Sequence, residues 1–244
     1  MVVIRPIELV LWFVNQRFPS DPTAIHGGPL MLPGWQPLLS ARPLGPGAFT
    51  LEEAARRVGH YRWVELALFE VLGDFVTTVP EEEVRAWLSV RSHRHAWHAE
   101  LWEQRLPELR GFHLDALTAP ANPEMERFVA SLTEPNGDDQ TIEKLVGVYR
   151  VLLPYLVAAY LYHLEQSSPV ADAPTMRALE LVLRDELEDW RDGELLVQWL
   201  MGTEEELLRA SARQARLEAE IRLAGGVAGP GSSWPRPPRR EPAP

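Results

Sequence analysis

Residues 50–83 read TLEEAARRVGHYRWVELALFEVLGDFVTTVPEEE, and this stretch contains one long helix and the start of another. Thr50 and the glutamate three residues later form a capping box, which marks a helix N-terminus. Apolar residues recur behind it at helical spacing. Pro80 and the three acids after it suit the first turn of a second helix. The stretch therefore predicts a helix over 51–78, a short turn, and a helix from about 80 to 106.

The rest of the chain continues the helical pattern. A long connection over 107–138 contains EMERFVASL, which predicts a short helix of its own. The most apolar helix follows over 139–166, and Pro154 in its middle should bend it. Two further helices are expected over 173–201 and 203–224. No segment shows the alternating pattern of a β-strand.

This order of elements predicts an all-α fold. Two helical pairs with short turns, joined by one long crossover, are typical of a four-helix bundle, here over 49–202. Residues 1–48 are rich in Pro and Gly but contain scattered apolar residues, so we expect an irregular arm that wraps the bundle. Residues 203–224 form an additional C-terminal helix, and 225–244 is predicted to be a disordered Pro/Arg tail.

Composition excludes several classes of function. The chain has 244 residues, a net charge of −11 and no cysteine. The charge argues against nucleic acid or an anionic membrane as the main partner. The absence of cysteine excludes disulfides, zinc–thiolate sites and thiol catalysis. No signal-peptide pattern is evident, and Pro154 interrupts the most apolar helix, so we predict a cytoplasmic protein without a membrane span.

Five polar residues fall on the apolar stripes of the predicted helices, where ionisable groups need partners. Helix 1 carries one carboxylate on its stripe, and helices 2 and 4 each carry a polar pair at positions i and i+3. Residues three apart lie about 60° apart around a helix, so both members of a pair can face inward, whereas His93 points away. The five candidate metal ligands are Glu65, His95, His98, Glu186 and Asp189.

On these residues the chain resembles the ferritin-like superfamily over 51–201. Glu65 takes the position of the helix 1 glutamate. His95-Ala-Trp-His98 takes the Glu-x-x-His position of helix 2, with histidine in place of glutamate. Glu186-Leu-Glu-Asp189 takes the helix 4 position, with aspartate in place of histidine. The resemblance also implies a helix 3 glutamate near the height of residues 153–156, where the chain has Leu, Pro, Tyr and Leu.

Two interpretations of the five residues stay open. In one, they form a buried network in which the acids are neutralised by the histidines and Arg91, and the protein is a non-catalytic scaffold or interaction protein without a cofactor. In the other, they bind iron or manganese, as one or two ions, in a non-haem oxidoreductase or oxygenase. The sequence favours the scaffold, because helix 3 offers no carboxylate.

Aromatic residues and the other histidines complete the prediction. Tyr155 and Tyr162 are seven residues apart on one face of helix 3, so they could lie beside an inward cluster, while Tyr160 belongs to another side. His60 and His163 are expected at the surface or at helix caps. The helices carry more tryptophans than the core stripes can hold, which predicts self-association into a homo-oligomer or a protein partner.

Overall fold

The computed structural model describes residues 49–106, 114–135, 137 and 139–230. Every regular element within these ranges is helical, which confirms the all-α prediction. The helices in chain order are α1 Leu51–Thr78, α2 Glu82–Glu103, α3 Leu114–Leu117, α4 Pro123–Leu132, α5 Thr141–Val146, a π-helical segment Gly147–Leu152, α6 Leu153–Gln166, α7 Ala173–Leu200 and α8 Glu204–Leu223.

The starts of α1 and α8 are fixed by side-chain caps at the two threonines that the sequence indicates. The Thr50 hydroxyl accepts a hydrogen bond from the Glu53 amide at 3.1 Å. Thr203 and Glu206 form a complete capping box at the start of α8. Both caps occupy amide groups that have no partner inside their helix. The short predicted helix in the long connection is α4, which begins at Pro123.

Helices α1 and α2 pack against each other along their length. Glu65 contacts His95, and the carbonyl of Phe69 accepts a hydrogen bond from Ser92 at 2.8 Å. Later residues of α1 thus meet earlier residues of α2, so the two helices are antiparallel. This pairing brings the polar positions of the two apolar stripes to the same height.

The third long helix is continuous over Thr141–Gln166 and consists of α5, the π-helical segment and α6. The amide of Leu153 donates to the carbonyl of Val148, five residues earlier, which is the π pattern. Pro154 has no N–H group and cannot make an α-helical bond to the carbonyl of Arg150, so the ladder changes register just before it. Where the sequence predicts a bend, the structure has a wider helical turn.

This third helix lies in the interior and packs against α7. By length and composition it could cross a membrane, but 67% of its apolar window is buried inside the protein. One of its contacts with α1 is made by Lys144, the only lysine in the chain, which is 1% exposed. Its Nζ donates to the carbonyl of Thr78 at 3.1 Å and to the Thr78 hydroxyl at 3.0 Å. Lys144 therefore holds the C-terminal end of α1 against the third helix.

Helix α8 packs on α4 and on the first half of the third helix. Beyond it, Gly225, Gly226 and Gly229 have φ angles of 75°, 82° and 81°, and they turn the chain back so that Val227 is 1% exposed. Glycine adopts this left-handed region without steric cost. The predicted disordered tail therefore cannot begin at residue 225. Residues 231–244 and the predicted arm over 1–48 lie outside the described residues.

Candidate metal centre

All five predicted ligand residues lie in the interior, each with 0% exposure. One comes from α1, two from α2 and two from α7, so three helices meet at this point. Buried ionisable groups at such a density require mutual pairing or a bound cation. The five residues are Glu65, His95, His98, Glu186 and Asp189.

Four of the five converge on one another. Glu65, His95, His98 and Glu186 each offer a ligand atom within 4.8 Å of the other three. The Nδ1 atom of His95 lies 2.7 Å from Glu65 Oε2 and 3.3 Å from Glu186 Oε1. The Nδ1 atom of His98 lies 2.9 Å from Glu186 Oε1 and 3.6 Å from Glu65 Oε2. Nitrogen and oxygen atoms therefore alternate around a small ring, which we call the four-donor ring.

The charges of the ring stabilise each other without any further group. Burial acts to lower the pKa of His95, but Glu186 and Glu65 beside it raise that pKa to about 10. Burial acts to raise the pKa of Glu65, but His98 and His95 hold that pKa well below its ordinary value. His95 is therefore charged and Glu65 ionised when the ring holds only protons. A metal ion must displace the Nδ1 protons before it can bind.

Asp189, the fifth predicted ligand, lies outside the ring. Its Oδ1 is 2.6 Å from Arg91 Nε, an ion pair whose N–H is not aligned for a hydrogen bond. Arg94 Nη1 is 3.4 Å from the same oxygen. Burial and the nearby Glu186 raise the pKa of Asp189 to about 6. Within the cluster Arg91 thus pairs with Asp189, while the histidines pair with the glutamates, and Asp189 does not converge with the other four predicted ligands.

The tyrosine next to the ring is Tyr160, which corrects the predicted pair. Its hydroxyl donates to Glu65 Oε1 at 2.5 Å and accepts from Trp102 Nε1 at 3.2 Å. Tyr155 is partly buried beside Arg222. Tyr162 lies elsewhere too, with its ring 5.5 Å from the guanidinium carbon of Arg57.

A signal for Tyr160 was present in the sequence. The positions that face the core in α6 are spaced three and four apart, and this stripe passes through Tyr160 but not through Tyr155 or Tyr162. The stripe consists of Leu153, Leu156, Val157, Tyr160 and Leu164, all buried.

Sequence reasoning missed a second interior tyrosine, Tyr149. It is 0% exposed, its ring centroid is 5.2 Å from that of Trp87, and its hydroxyl has no hydrogen-bond partner among the described residues. A Cβ atom on Gly193 would lie 2.1 Å from the Tyr149 ring, so glycine is what admits the ring against α7. The signal was Gly193 itself, a residue without a side chain on a stripe of large apolar residues.

The positions of the other histidines confirm one prediction and correct another. His93 is exposed, as its angle from His95 predicts. His163 was expected at the surface or at a helix cap; it lies in the last turn of α6 but is 1% exposed, with its ring centroid 5.2 Å from that of Phe49. His60 is half-buried, and its Nδ1 lies 2.9 Å from the carbonyl of Ala119. Both positions are covered by segments beyond the two helices, which a helical wheel does not include.

The donor set of the ring fits one first-row divalent metal ion. Metal–ligand bonds of about 2.0–2.2 Å place neighbouring donors about 3 Å apart, and the four N–O separations of the ring span 2.7–3.6 Å. Glu186 Oε2 and His95 Nε2 are also buried without a hydrogen-bond partner among the described residues. Two imidazoles with two carboxylates suit iron or manganese.

A second ion has less support. In the N-terminal half of the third helix, the carboxylate that the structure describes is Glu143. It is already paired, because Arg209 Nε lies 2.9 Å from its Oε1. The helix instead contributes the phenols Tyr149 and Tyr160. The arrangement is therefore a candidate mononuclear centre with an adjacent Arg–Asp pair.

No family model, curated protein or solved structure matches this chain. The site must therefore be interpreted from its own chemistry.

Proposed function

We propose that this protein is a ferritin-like four-helix bundle that binds one iron or manganese ion at the four-donor ring and acts as a metal-dependent oxidoreductase. The convergence of four fully buried donor atoms within 4.8 Å carries this proposal. The sequence alone favours a scaffold, because helix 3 lacks the expected glutamate. The distances between the donor atoms favour metal binding instead, since the four remaining donors suffice for one ion.

The residues around the ring have separate tasks in this proposal. A bound iron or manganese ion would supply one-electron redox chemistry. Tyr160 orients Glu65 through the hydrogen bond to Oε1. Such outer partners fix the direction of ligand side chains and tune their basicity. The apolar interior around the ring keeps bulk water away from the reacting ion.

A non-catalytic scaffold is the second candidate, and it has its own supporting observation. Histidine–glutamate contacts of 2.7 and 2.9 Å neutralise the ring without a metal, and Arg91 does the same for Asp189. Leu195 and Trp199, four residues apart on α7, are 57% and 70% exposed. Side chains at this spacing share one helix face, and an exposed apolar face of this kind can bind a second copy of the chain or another protein. A cytoplasmic location stays a prediction under both candidates.

Metal analysis separates the two candidates. The full chain is purified without chelator, and its iron and manganese are measured by mass spectrometry beside a His95→Ala/His98→Ala double variant. We expect about one ion per chain in the wild type and none in the variant. His93→Ala is the matched control, because His93 is on the same helix but exposed; its metal content should equal that of the wild type.

Thermal unfolding gives a second measurement. Added Mn²⁺ should raise the melting temperature of the wild type and of His93→Ala, because an ion that binds only the folded state stabilises it. The double variant should not respond. A wild type that contains no metal and shows no shift with Mn²⁺ or Fe²⁺ would support the scaffold instead.

A further inference from the structure

Two polar connections lead from the four-donor ring towards the surface. At one end, His98 Nε2 is 3.3 Å from Asp185 Oδ2, and the Asp185 side chain is 26% exposed. At the other end, His95 Nε2 is 4.0 Å from Asp189 Oδ2. Asp189 is in turn covered by Arg91 and Arg94, whose side chains are 10% and 23% exposed. The ring itself is fully buried, and these two ends are where its polar contacts continue towards more exposed side chains.

The pairing of the carboxylates distinguishes the two ends. A cation that approaches through Asp189 meets carboxylates that Arg91 and Arg94 already occupy, namely Asp189, Asp192 and Glu188. A cation that approaches through Asp185 meets a partly exposed carboxylate, which attracts it and then presents the ion to an imidazole nitrogen. Charged groups at the mouth of a site raise or lower the association rate of an ion in this way.

His98 connects the outside and the inside of this path. Its Nε2 faces Asp185, while its Nδ1 lies 2.9 Å from Glu186 in the ring. Trp97, the preceding residue, is 42% exposed, and its ring centroid is 5.6 Å from that of His98. Trp97 thus covers the imidazole from solvent, and Asp185 is the polar group that remains reachable beside it.

We infer that Asp185 and His98 Nε2 form the first binding step for the incoming divalent cation, which passes from there to the four-donor ring. This inference rests on the proposed function, since it assigns the uptake path of the same metal. Asp185 is therefore expected to affect the rate of metal binding and not the amount of metal bound. Its carboxylate speeds the capture of the ion, while the ring determines how many ions are held.

The test follows metal uptake in time. The full chain is freed of metal with EDTA, dialysed and mixed with Co²⁺, whose visible absorption reports binding to nitrogen and oxygen donors. Asp185→Asn should bind the same amount of Co²⁺ as the wild type but about tenfold more slowly, as expected when an attracting charge is lost. Asp185→Glu should recover most of the rate, because it restores the carboxylate.

Glu188→Gln is the matched charge control. It lies one turn further along α7, removes the same unit of charge and is paired with Arg94 at 3.5 Å rather than with the ring. Its uptake rate should stay within about twofold of the wild type, because the change is away from the mouth. Added salt should slow the wild type more than Asp185→Asn, since screening acts on the attraction that the variant lacks.

Each outcome is decisive for one of the two statements. Equal uptake rates in Asp185→Asn and the wild type overturn the uptake path but leave the metal site intact. Loss of Co²⁺ from Asp185→Asn at equilibrium also overturns it, because Asp185 would then be a ligand of the resting site. A wild type that binds no Co²⁺, Mn²⁺ or Fe²⁺ overturns the proposed function itself.

Discussion

Tyr160 donates a hydrogen bond to Glu65 Oε1, while the other oxygen of the same carboxylate lies 2.7 Å from His95 Nδ1. Both oxygens of Glu65 are therefore engaged, one by a phenol from the third helix and one by an imidazole from α2. The helix on which the ferritin-like resemblance implies a carboxylate instead supplies a hydrogen-bond donor. In the proposed metal site, this donor would support the ligand Glu65 rather than bind a second ion.

Loss of the Tyr160 hydroxyl should weaken both the fold and the site. In Tyr160→Phe the Glu65 Oε1 atom stays buried without its donor, so we expect the free energy of unfolding to fall by about 1–3 kcal/mol. Metal affinity should fall about 10–100-fold, as is usual when the partner of a ligand is removed. Urea denaturation and Mn²⁺ titration measure the two effects. Tyr162→Phe, which is remote from the ring, should change neither; equal effects in both variants would contradict the assigned contact.

The Arg91–Asp189 pair should be strongly interdependent. Arg91→Met leaves a buried carboxylate without its main counter-charge and should cost about 3–5 kcal/mol of unfolding free energy. Arg91→Met/Asp189→Leu should recover much of that loss, because the buried carboxylate is removed together with its counter-charge. Chemical denaturation of the single and double variants gives the coupling energy. Arg127→Met serves as the surface comparison, since the Arg127 side chain is 73% exposed in its pair with Glu124, and it should cost at most about 1 kcal/mol.

Removal of the Tyr149 hydroxyl should stabilise the protein rather than destabilise it. Its hydroxyl is buried without a partner among the described residues, so Tyr149→Phe should raise the free energy of unfolding by about 1 kcal/mol. Tyr61→Phe is the matched comparison, because the Tyr61 hydroxyl is also buried but donates to the carbonyl of Ala159 at 3.3 Å. That variant should be less stable than the wild type. A destabilised Tyr149→Phe would show that the hydroxyl has a partner, such as a bound water molecule.

His163 should make stability fall with acid. Burial lowers the pKa of His163 from 6.5 to about 3, with Arg57 contributing. Between these two values the unfolded chain binds a proton that the folded chain does not, so unfolding becomes easier as the pH falls from 6.5 towards 3. The contribution to the slope is at most about 1.4 kcal/mol per pH unit.

This slope is tested by denaturation curves of the wild type and His163→Phe at about pH 7, 5.5 and 4, which run from above the window into its lower half. The variant keeps a ring against Phe49 and Tyr61 but cannot take up a proton. Its stability should therefore decline less steeply than that of the wild type. His93→Phe, at an exposed position of α2, should retain the wild-type slope. Parallel curves for the wild type and His163→Phe would contradict the assignment.

Much of this fold could be predicted because its signals are local. A capping side chain lies within four residues of the amide it binds, and Thr50 and Thr203 both act where the sequence places them. The inward position of Glu65, His95 and His98 follows from helical spacing, since polar residues on a narrow apolar stripe have few other directions to face. The outward position of His93 has the same origin.

Other features depended on which helices meet and on how each is rotated. A helical wheel gives the angle between two residues of one helix, but the direction that faces the core is set by the neighbouring surfaces. Tyr160 rather than Tyr155 or Tyr162 reaches Glu65 for this reason. The π-helical segment before Pro154 and the space left by Gly193 are likewise responses to contacts along the whole third helix.

The sequence by itself determined an all-α chain with a set of ionisable residues that must be buried, because periodicity and capping act within a few residues. Only the tertiary structure decided how those residues share partners. It joined Glu65, His95, His98 and Glu186 into one ring and gave Asp189 to Arg91. The physical reason is that charges in an apolar interior pair with their nearest opposite charges, and nearness across three helices is fixed by side-chain contacts that no single helix contains.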